Sequence, residues 1–336
     1  MSGLLQADAV ALPLANDSVD LVVTSPPYFA LRSYRDDGEH YDGQIGSEAT
    51  PQEFLDALWA VTAECVRVLK PSGSLWVNLG DKYAGSAGWC NNEKSALSST
   101  IRGAGDQQRT NAHRTPKTPV TTIRPKSLIG LPWRYAIGCI DDLGLILRAE
   151  VIWSKPNGLP ESVTDRVRRS HEQWFHFTLE PRYFSALDEI RDPHQRPASF
   201  GFFGSAKEYG EQRGDDDRRK AGEQNPLGKL PGSVWSITSE PLQVPDELGV
   251  DHFAAFPQEW PRRLILGWCP PDGVVLDPFA GTGTVPMVAR ALGRTGIGVD
   301  LSSDYLRLAS WRVFESGHAS KSTARTNGER QGLLPL

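Results

Sequence analysis

Residues 273–300 read Gly273-Val-Val-Leu-Asp277-Pro278-Phe279-Ala-Gly281-Thr-Gly283-Thr284-Val-Pro286, then Met-Val-Ala-Arg-Ala-Leu-Gly-Arg, then Thr295-Gly-Ile-Gly-Val-Asp300. A β-branched run closes on an acid, a glycine turn follows, a helix-forming run comes next, and a second β-branched run closes on another acid. The order is strand, turn, helix, strand. Glycine lets a backbone approach a ligand closely, and an acid at the tip of the next strand accepts hydrogen bonds from ribose hydroxyls. Asp300 stands 19 positions after Gly281, the spacing of a nucleoside-binding βαβ unit. The third glycine of the dinucleotide fingerprint is missing, because Pro286 occupies its place. That argues against a nicotinamide dinucleotide and leaves a nucleoside ligand without a pyrophosphate.

Toward the N-terminus the same rhythm recurs. Val19-Asp-Leu-Val-Val-Thr24 is a β-branched run stopped by Ser25-Pro26-Pro27-Tyr28. Thr50-Pro51-Gln52-Glu53 supplies an N-cap, a proline in the first turn and a capping-box glutamate. Phe54, Leu55, Leu58, Val61, Cys65, Val68 and Leu69 then keep helical spacing up to a stop at Pro71-Ser72-Gly73, and Ser74–Leu79 reads as the next strand. A helix is expected after Ser127, with strands near Ala149–Trp153 and Trp174–Leu179. Alternating strand and helix predicts an α/β fold with a mostly parallel sheet covered on both faces. The Thr24–Tyr28 turn ends a strand, where open α/β sheets place their ligands. Two prolines fix where the Ser25 and Pro26 carbonyls point, and Tyr28 adds an aromatic face.

With 336 residues the chain can bury one large α/β domain or a domain plus an insert. Hydrophobic residues are 39% and charged residues 23%, an ordinary globular balance. No long uncharged apolar stretch and no basic-then-apolar N-terminus occur, so a membrane protein and a secreted one are both disfavoured, and a cytoplasmic location is expected. Four dispersed cysteines without a C-x-x-C make neither a disulfide framework nor a zinc site. His171 and His176, five apart on a strand, face opposite sides, so no metal site is expected. Trp76, Trp153 and Trp174 read as core or cleft wall.

Two stretches break the rhythm. Residues 84–126 lack periodicity and hold seven basic residues against two acids in a chain of net charge -5. Connections that long are functional or disordered, and this one reads as a mobile basic loop. Residues 185–250 form a second irregular region with a mixed charge run at 214–220, and residues 319–336 read as a disordered tail.

Thr24-Ser-Pro-Pro-Tyr28 together with Asp277-Pro-Phe-Ala-Gly-Thr-Gly283 resembles the amino-methylating DNA methyltransferases that use S-adenosylmethionine. Here the catalytic motif precedes the cofactor motif, as in the circularly permuted β group of that family. His252-Phe-Ala-Ala-Phe256-Pro257 is similar to the family segment that closes over the cofactor. Asp8, with Leu12-Pro-Leu and Asp17-Ser-Val-Asp-Leu21, resembles its acid-bearing strand. Ser74–Asp81, Glu150–Pro156 and Arg169–Glu172 match its later sheet segments.

The resemblance implies a Rossmann-like methyltransferase fold with permuted motif order and irregular DNA-contacting inserts. It implies a catalytic half at 1–184, target recognition at 185–250 and a cofactor half at 251–318. Cofactor contacts would come from Asp8, Phe256, Pro257, Asp277, Pro278, Phe279, Gly281, Gly283, Thr284 and Asp300. Ser25, Pro26, Pro27 and Tyr28 would hold the target base. Its exocyclic amine is a poor nucleophile because the lone pair is delocalised into the ring. Acceptors at the Ser25 side chain and the Pro26 carbonyl aim that lone pair at the methyl group, with Tyr28 stacking on the base. A base inside a duplex must be flipped to reach them. Arg109, Arg114 and Lys117 are the expected phosphate contacts of the basic loop. Double-stranded DNA is the implied partner, with a cognate restriction endonuclease as a second.

The serine before Pro-Pro is associated in the family with cytosine N4, whereas Asp or Asn is usual for adenine N6, so N4-methylcytosine is the expected product. Carbon-5 methylation would need a cysteine after a proline, and Cys65, Cys90, Cys139 and Cys269 follow Glu64, Trp89, Gly138 and Trp268. RNA or protein-amide methyltransferases with a similar Pro-Pro-Tyr turn more often carry Asn there and keep the cofactor motif first. A non-catalytic DNA-binding relative would not be expected to retain Ser25–Tyr28, Asp277, Gly281, Gly283 and Asp300 together.

Overall fold

The β-branched run at Val19–Thr24 is buried at every position and forms a central strand, as a strand covered on both faces should. The computed structural model describes residues 2–30, 35–36, 39–40, 44–85, 122–158, 161–194, 225–240, 242 and 256–315. Within them the strands are β1 (Gly3–Gln6), β2 (Val19–Thr24), a short pair β3 (Arg35–Asp36) and β4 (Glu39–His40), β5 (Leu69–Leu79), β6 (Ile146–Ser154), β7 (His171–Thr178), β8 (Val234–Ser236), β9 (Val274–Asp277) and β10 (Thr295–Asp300). The helices are α1 (Pro51–Val68), α2 (Leu131–Asp141), α3 (Glu259–Trp268), α4 (Thr284–Ala291) and α5 (Ser303–Ser310), the last running into a π-helical turn at Trp311–Glu315.

Eight strands form one sheet in the order β1-β10-β9-β2-β5-β7-β6-β8. Its neighbours are parallel except that β7 runs antiparallel to both β5 and β6. One face packs on α1 and α2 through Phe54, Leu58, Tyr135 and Phe177. The other packs on α3 and α4 through Trp76, Trp174, Trp260, Leu264 and Val288. From β9 the chain crosses through α4 to β10 on one side, and from β2 it crosses through α1 to β5 on the other. The strand order therefore reverses between β9 and β2. A crevice opens outside the carboxyl ends of strands at such a point.

Local chemistry explains most boundaries. Thr50 accepts from the Glu53 amide and Glu53 from the Thr50 amide, so the expected capping box starts α1. Cys269 caps the C-terminus of α3, with Pro270 directly after it. The expected stop at Pro71-Ser72-Gly73 is corrected: α1 passes directly into β5 at Leu69, and the three residues loop out inside the strand. Pairing jumps from Val19↔Leu69 to Leu21↔Ser74. Gly73 permits the loop, since a Cβ there would lie 2.9 Å from the Asp20 carbonyl, and Lys70 pins it by pairing with Asp20.

The described parts of 185–250 are less irregular than their composition suggests. Leu187–Ile190 forms a 3-10 turn and Val234–Ser236 adds β8 to the sheet edge beside β6. Three residues of strand carry too little periodicity to be read from sequence. Most of 84–126, with Arg109, Arg114 and Lys117, lies outside the described residues, as do 195–224 and 316–336. The two described ends of 84–126 meet: Tyr83 bridges Leu128, Ala84 donates to the Ser127 carbonyl, and Lys126 donates to the Ala84 carbonyl. Among the described residues no helix is long and apolar enough to cross a membrane, and no cluster of metal-ligating side chains occurs.

Candidate active site

The two sequence motifs meet at the crevice between β9 and β2. Thr24 Oγ1 donates to Asp277 Oδ1 at 2.7 Å, joining the ends of the two strands, and the Phe279 amide donates to the same oxygen at 3.1 Å. Asp277 is buried, and burial pushes its carboxyl up to about 7 against the lowering effect of those two donors. Its side chain thus couples the motifs, while Pro278, Phe279 and Ala280 carry the chain over the sheet.

The glycine turn is built for close approach. Gly281 and Gly283 have φ of 47° and 74°, a region that side chains rarely adopt. A Cβ on Gly283 would stand 2.8 Å from the Ala309 Cβ of α5. Gly281 donates to Asp300 Oδ2 at 2.8 Å, and the Ser302 amide donates to Asp300 Oδ1 at 2.9 Å, so the half-buried carboxylate is aimed at the tip of β10. Thr284 is buried at the start of α4, and its hydroxyl accepts from Arg312 Nη1 at 2.9 Å. The same nitrogen donates to the Thr282 carbonyl and hydroxyl. Burial pushes the Arg312 guanidinium down to about 10.

Pro286 also finds its reason. The dinucleotide fingerprint places its third glycine on the helix so that helix and strand can touch. Here the small residues lie on β10 instead, since a Cβ on Gly296 would come within 2.5 Å of the Pro286 Cα.

Around Tyr28 the structure adds residues that the motifs did not single out. The Ser25 hydroxyl donates to Asn78 Oδ1 at 3.2 Å, and Asn78 is oriented by donating to the Gln173 carbonyl at 3.0 Å. The Tyr28 hydroxyl reaches both Asn78 Oδ1, at 2.8 Å, and Glu172 Oε2, at 2.9 Å. Glu172 Oε1 accepts from Lys155 Nζ, which also lies 4.0 Å over the Trp153 ring. The Tyr28 ring rests against Gly80, where a Cβ would stand 2.8 Å from Cε2. Pro26 is buried, Ser25 and Tyr28 are half-buried. A polar row of hydroxyl, amide, phenol, carboxylate and ammonium therefore lines the end of β2, β5, β6 and β7. Asn78 had a sequence signal, being the one amide in the apolar run Ser74–Leu79. Glu172 and Lys155 had none beyond lying in matched segments, because partners on antiparallel strands are not adjacent in sequence. Arg312 had none at all.

Phe256 and Pro257 lie on the α3 face. Phe256 makes an edge contact with Trp174 at 5.7 Å, and Trp174 stacks on Trp260 at 4.7 Å. Asp8 is exposed just beyond β1, with its carboxylate accepting from the Val10 amide at 3.1 Å, and Ala7 donates to the Asp300 carbonyl at 3.2 Å. Asp8 therefore ends on the same edge as Asp300. His176 faces the core, stacked on Trp76 and bonded to Ser74, and Cys65, Cys139 and Cys269 are buried free thiols.

An acceptor at the tip of β10, a glycine turn and a half-buried aromatic ring together suit a nucleoside. The polar row beside them suits the hydrogen-bonding edge of a base. Residues 19–310 match the N6/N4 methyltransferase family, described as DNA methylase. The chain is 36% identical over 317 residues to the Type II methyltransferase M.XycI of Xanthomonas campestris pv. cyanopsidis, covering 93% of this chain and 87% of that protein. It superposes on the PvuII DNA methyltransferase (cytosine-N4-specific) with a TM-score of 0.61 at 18% identity, covering 96% of this chain and 92% of that one. A DNA modification methylase from Thermus thermophilus, solved with S-adenosyl-L-methionine, gives a TM-score of 0.51 at 21% identity, covering 96% of each chain. Strand order, the meeting of the two motifs and the extent of the family match make one conclusion: this chain belongs to the N6/N4 DNA methylase family.

Proposed function

We propose that this DNA methyltransferase moves a methyl group from S-adenosylmethionine to the N4 amine of a cytosine flipped out of double-stranded DNA. The observation that carries the reading is Ser25. Its hydroxyl proton is committed to Asn78 Oδ1, so its lone pairs are left to accept an N–H from the amine. The Pro26 carbonyl, fixed by two consecutive prolines, accepts the second N–H, and the Tyr28 ring stacks on the base. The bound donor supplies an electrophilic methyl on a sulfonium. Asp300 accepts from its ribose hydroxyls, Gly281 and Gly283 let the backbone of the turn approach closely, and Phe256 and Pro257 cover it. Asp8 lies on the same edge as a further acceptor. Catalysis is then positioning and electrostatics, with no covalent intermediate on the protein.

Serine rather than an anionic aspartate before Pro-Pro favours cytosine N4 over adenine N6. Residues 185–250 are the proposed target-recognition region, and Arg109, Arg114 and Lys117 are proposed phosphate contacts. A restriction endonuclease of the same recognition sequence is the partner we infer, in keeping with a Type II relative. Nucleoside mass spectrometry of DNA methylated in vitro tests the reading: N4-methylcytosine is expected, and N6-methyladenine alone overturns the base assignment. Calorimetry showing no binding of S-adenosylmethionine overturns the donor.

A further inference from the structure

Residues 161–170 belong to the connection from β6 to β7, at the end of the strands where Tyr28 lies, and they are held by several side-chain contacts. Arg166 places its guanidinium 4.0 Å over the Tyr83 ring, pairs with Glu161 at 2.8 Å and donates to the Val167 carbonyl at 3.0 Å. Arg168 donates to the Gly158 carbonyl at 2.7 Å. Asp165 pairs with Lys126 at 2.7 Å. Lys155 donates its amide to the Ser170 carbonyl at 2.8 Å, and two residues later Glu172 touches Tyr28. The loop is therefore clamped to the neck formed by Tyr83 and Lys126 on one side and to the polar row of the active site on the other.

On this clamped loop Val167 is 86% exposed, more than any other large hydrophobic residue described. Single exposed apolar residues are ordinary. This one differs in its neighbours. The loop holds three arginines, Arg166, Arg168 and Arg169, against two acids, and both acids sit in ion pairs, Glu161 with Arg166 and Asp165 with Lys126. The chain around Val167 is thus net cationic. A rigid projection with an apolar tip and a cationic base matches the chemistry of a side chain that enters a base stack while its neighbours hold the phosphates.

Resting on the methyl-transfer reading above, we infer that residues 161–170 are a duplex-contacting element of this enzyme. Val167 enters the base stack and fills the space left by the flipped base, and Arg168 and Arg169 contact the backbone phosphates on either side. A wedge stabilises the flipped state only when the target base must leave a paired stack. Its removal is therefore felt least where the target is already unpaired.

The test uses the full chain and a duplex carrying the recognition site found by modification-sensitive sequencing, alongside the same duplex with the target base mismatched. Val167→Gly should lower kcat/KM on the paired duplex by roughly tenfold and on the mismatched duplex by less than about threefold, with Val167→Leu close to the parent. Arg168→Ala with Arg169→Ala should reduce the slope of log affinity against log salt by about 2 and leave S-adenosylmethionine affinity unchanged. Equal losses of Val167→Gly on both duplexes, or no loss on either, overturn the wedge. An unchanged salt slope overturns the phosphate contacts. A parent enzyme that methylates neither duplex overturns the methyl-transfer reading itself, and the wedge with it.

Discussion

The Tyr28 hydroxyl lies 2.9 Å from Glu172 Oε2, and Glu172 turns its other carboxylate oxygen to Lys155. The phenol shares its one proton between that carboxylate and Asn78 Oδ1, at 2.8 Å, and the ring rests against Gly80. The orientation of the aromatic face that the target base would meet is thus set by β5 and β7, not by the Pro-Pro turn alone. Glu172→Gln keeps the shape but removes the charge-assisted bonds to Tyr28 and Lys155. Turnover should fall by about 10- to 100-fold, the equivalent of about 1.5–3 kcal/mol, with cofactor affinity unchanged. Single-turnover kinetics beside calorimetry would show it, and an equal fall in cofactor affinity would contradict it.

Asp300 and Ser25 should separate binding from chemistry. Asp300→Ala removes the strand-tip acceptor and should weaken S-adenosylmethionine by about 1.5–3 kcal/mol. Ser25→Ala should lower turnover while leaving that affinity intact, because the proposed role of the serine is to hold the base and not the donor. Titration calorimetry on both variants, with initial rates, reads out the contrast.

Arg312 supports the glycine turn from behind, donating to Thr282 and Thr284 from a buried position. Arg312→Ala would leave those acceptors buried without a donor, at about 1–3 kcal/mol for each group that water cannot reach. A lower denaturation midpoint and weaker S-adenosylmethionine binding should appear together. Arg312→Lys restores the charge on a shorter side chain with a differently placed donor, so it should recover only part of either.

Gly283→Ala should be damaging although it adds one methyl group. The left-handed φ of 74° costs about 1–2 kcal/mol with a side chain, and the Cβ meets Ala309 at 2.8 Å, where overpacking costs about 1–3 kcal/mol. Ala309→Gly in the same chain should relieve the clash but not the backbone strain. Urea denaturation of the single and double variants separates the two contributions.

Two buried groups should oppose each other in acid. Burial lowers His176 from 6.5 to about 3, so its contribution to stability is present above pH 6.5 and is lost as pH falls toward 3. Burial raises Asp277 from 3.8 to about 7, so its contribution is present at low pH and is lost as pH rises toward 7. Each corresponds to one proton, about 1.4 kcal/mol per pH unit at full slope, with opposite sign between pH 4 and 6.5. Asp277→Asn should therefore make the protein lose stability on acidification more steeply than the parent, and His176→Gln should do the reverse. Denaturation midpoints from pH 4 to 6.5 check both signs.

Sequence by itself determined the elements whose causes are local. The βαβ unit from Val274 to Asp300, the capping box at Thr50 and Glu53, and the strand halted by Ser25-Pro26-Pro27 are each specified by neighbours within a few positions. Periodicity, capping and proline geometry act over that range. Tertiary structure decided everything that depends on which strands lie side by side. Thr24 and Asp277 are 253 positions apart, and only the reversal of strand order between β2 and β9 brings them within 2.7 Å. Glu172 reaches Tyr28 across 144 positions because β7 inserts antiparallel beside β5, a pairing that a local apolar pattern does not encode. Pro286 was legible as a missing glycine, but its compensation by Gly296 and Gly298 appears only when α4 lies on β10. Short edge elements such as β8, stabilised by pairing rather than by their own three residues, were invisible for the same reason: their order comes from the neighbouring strand.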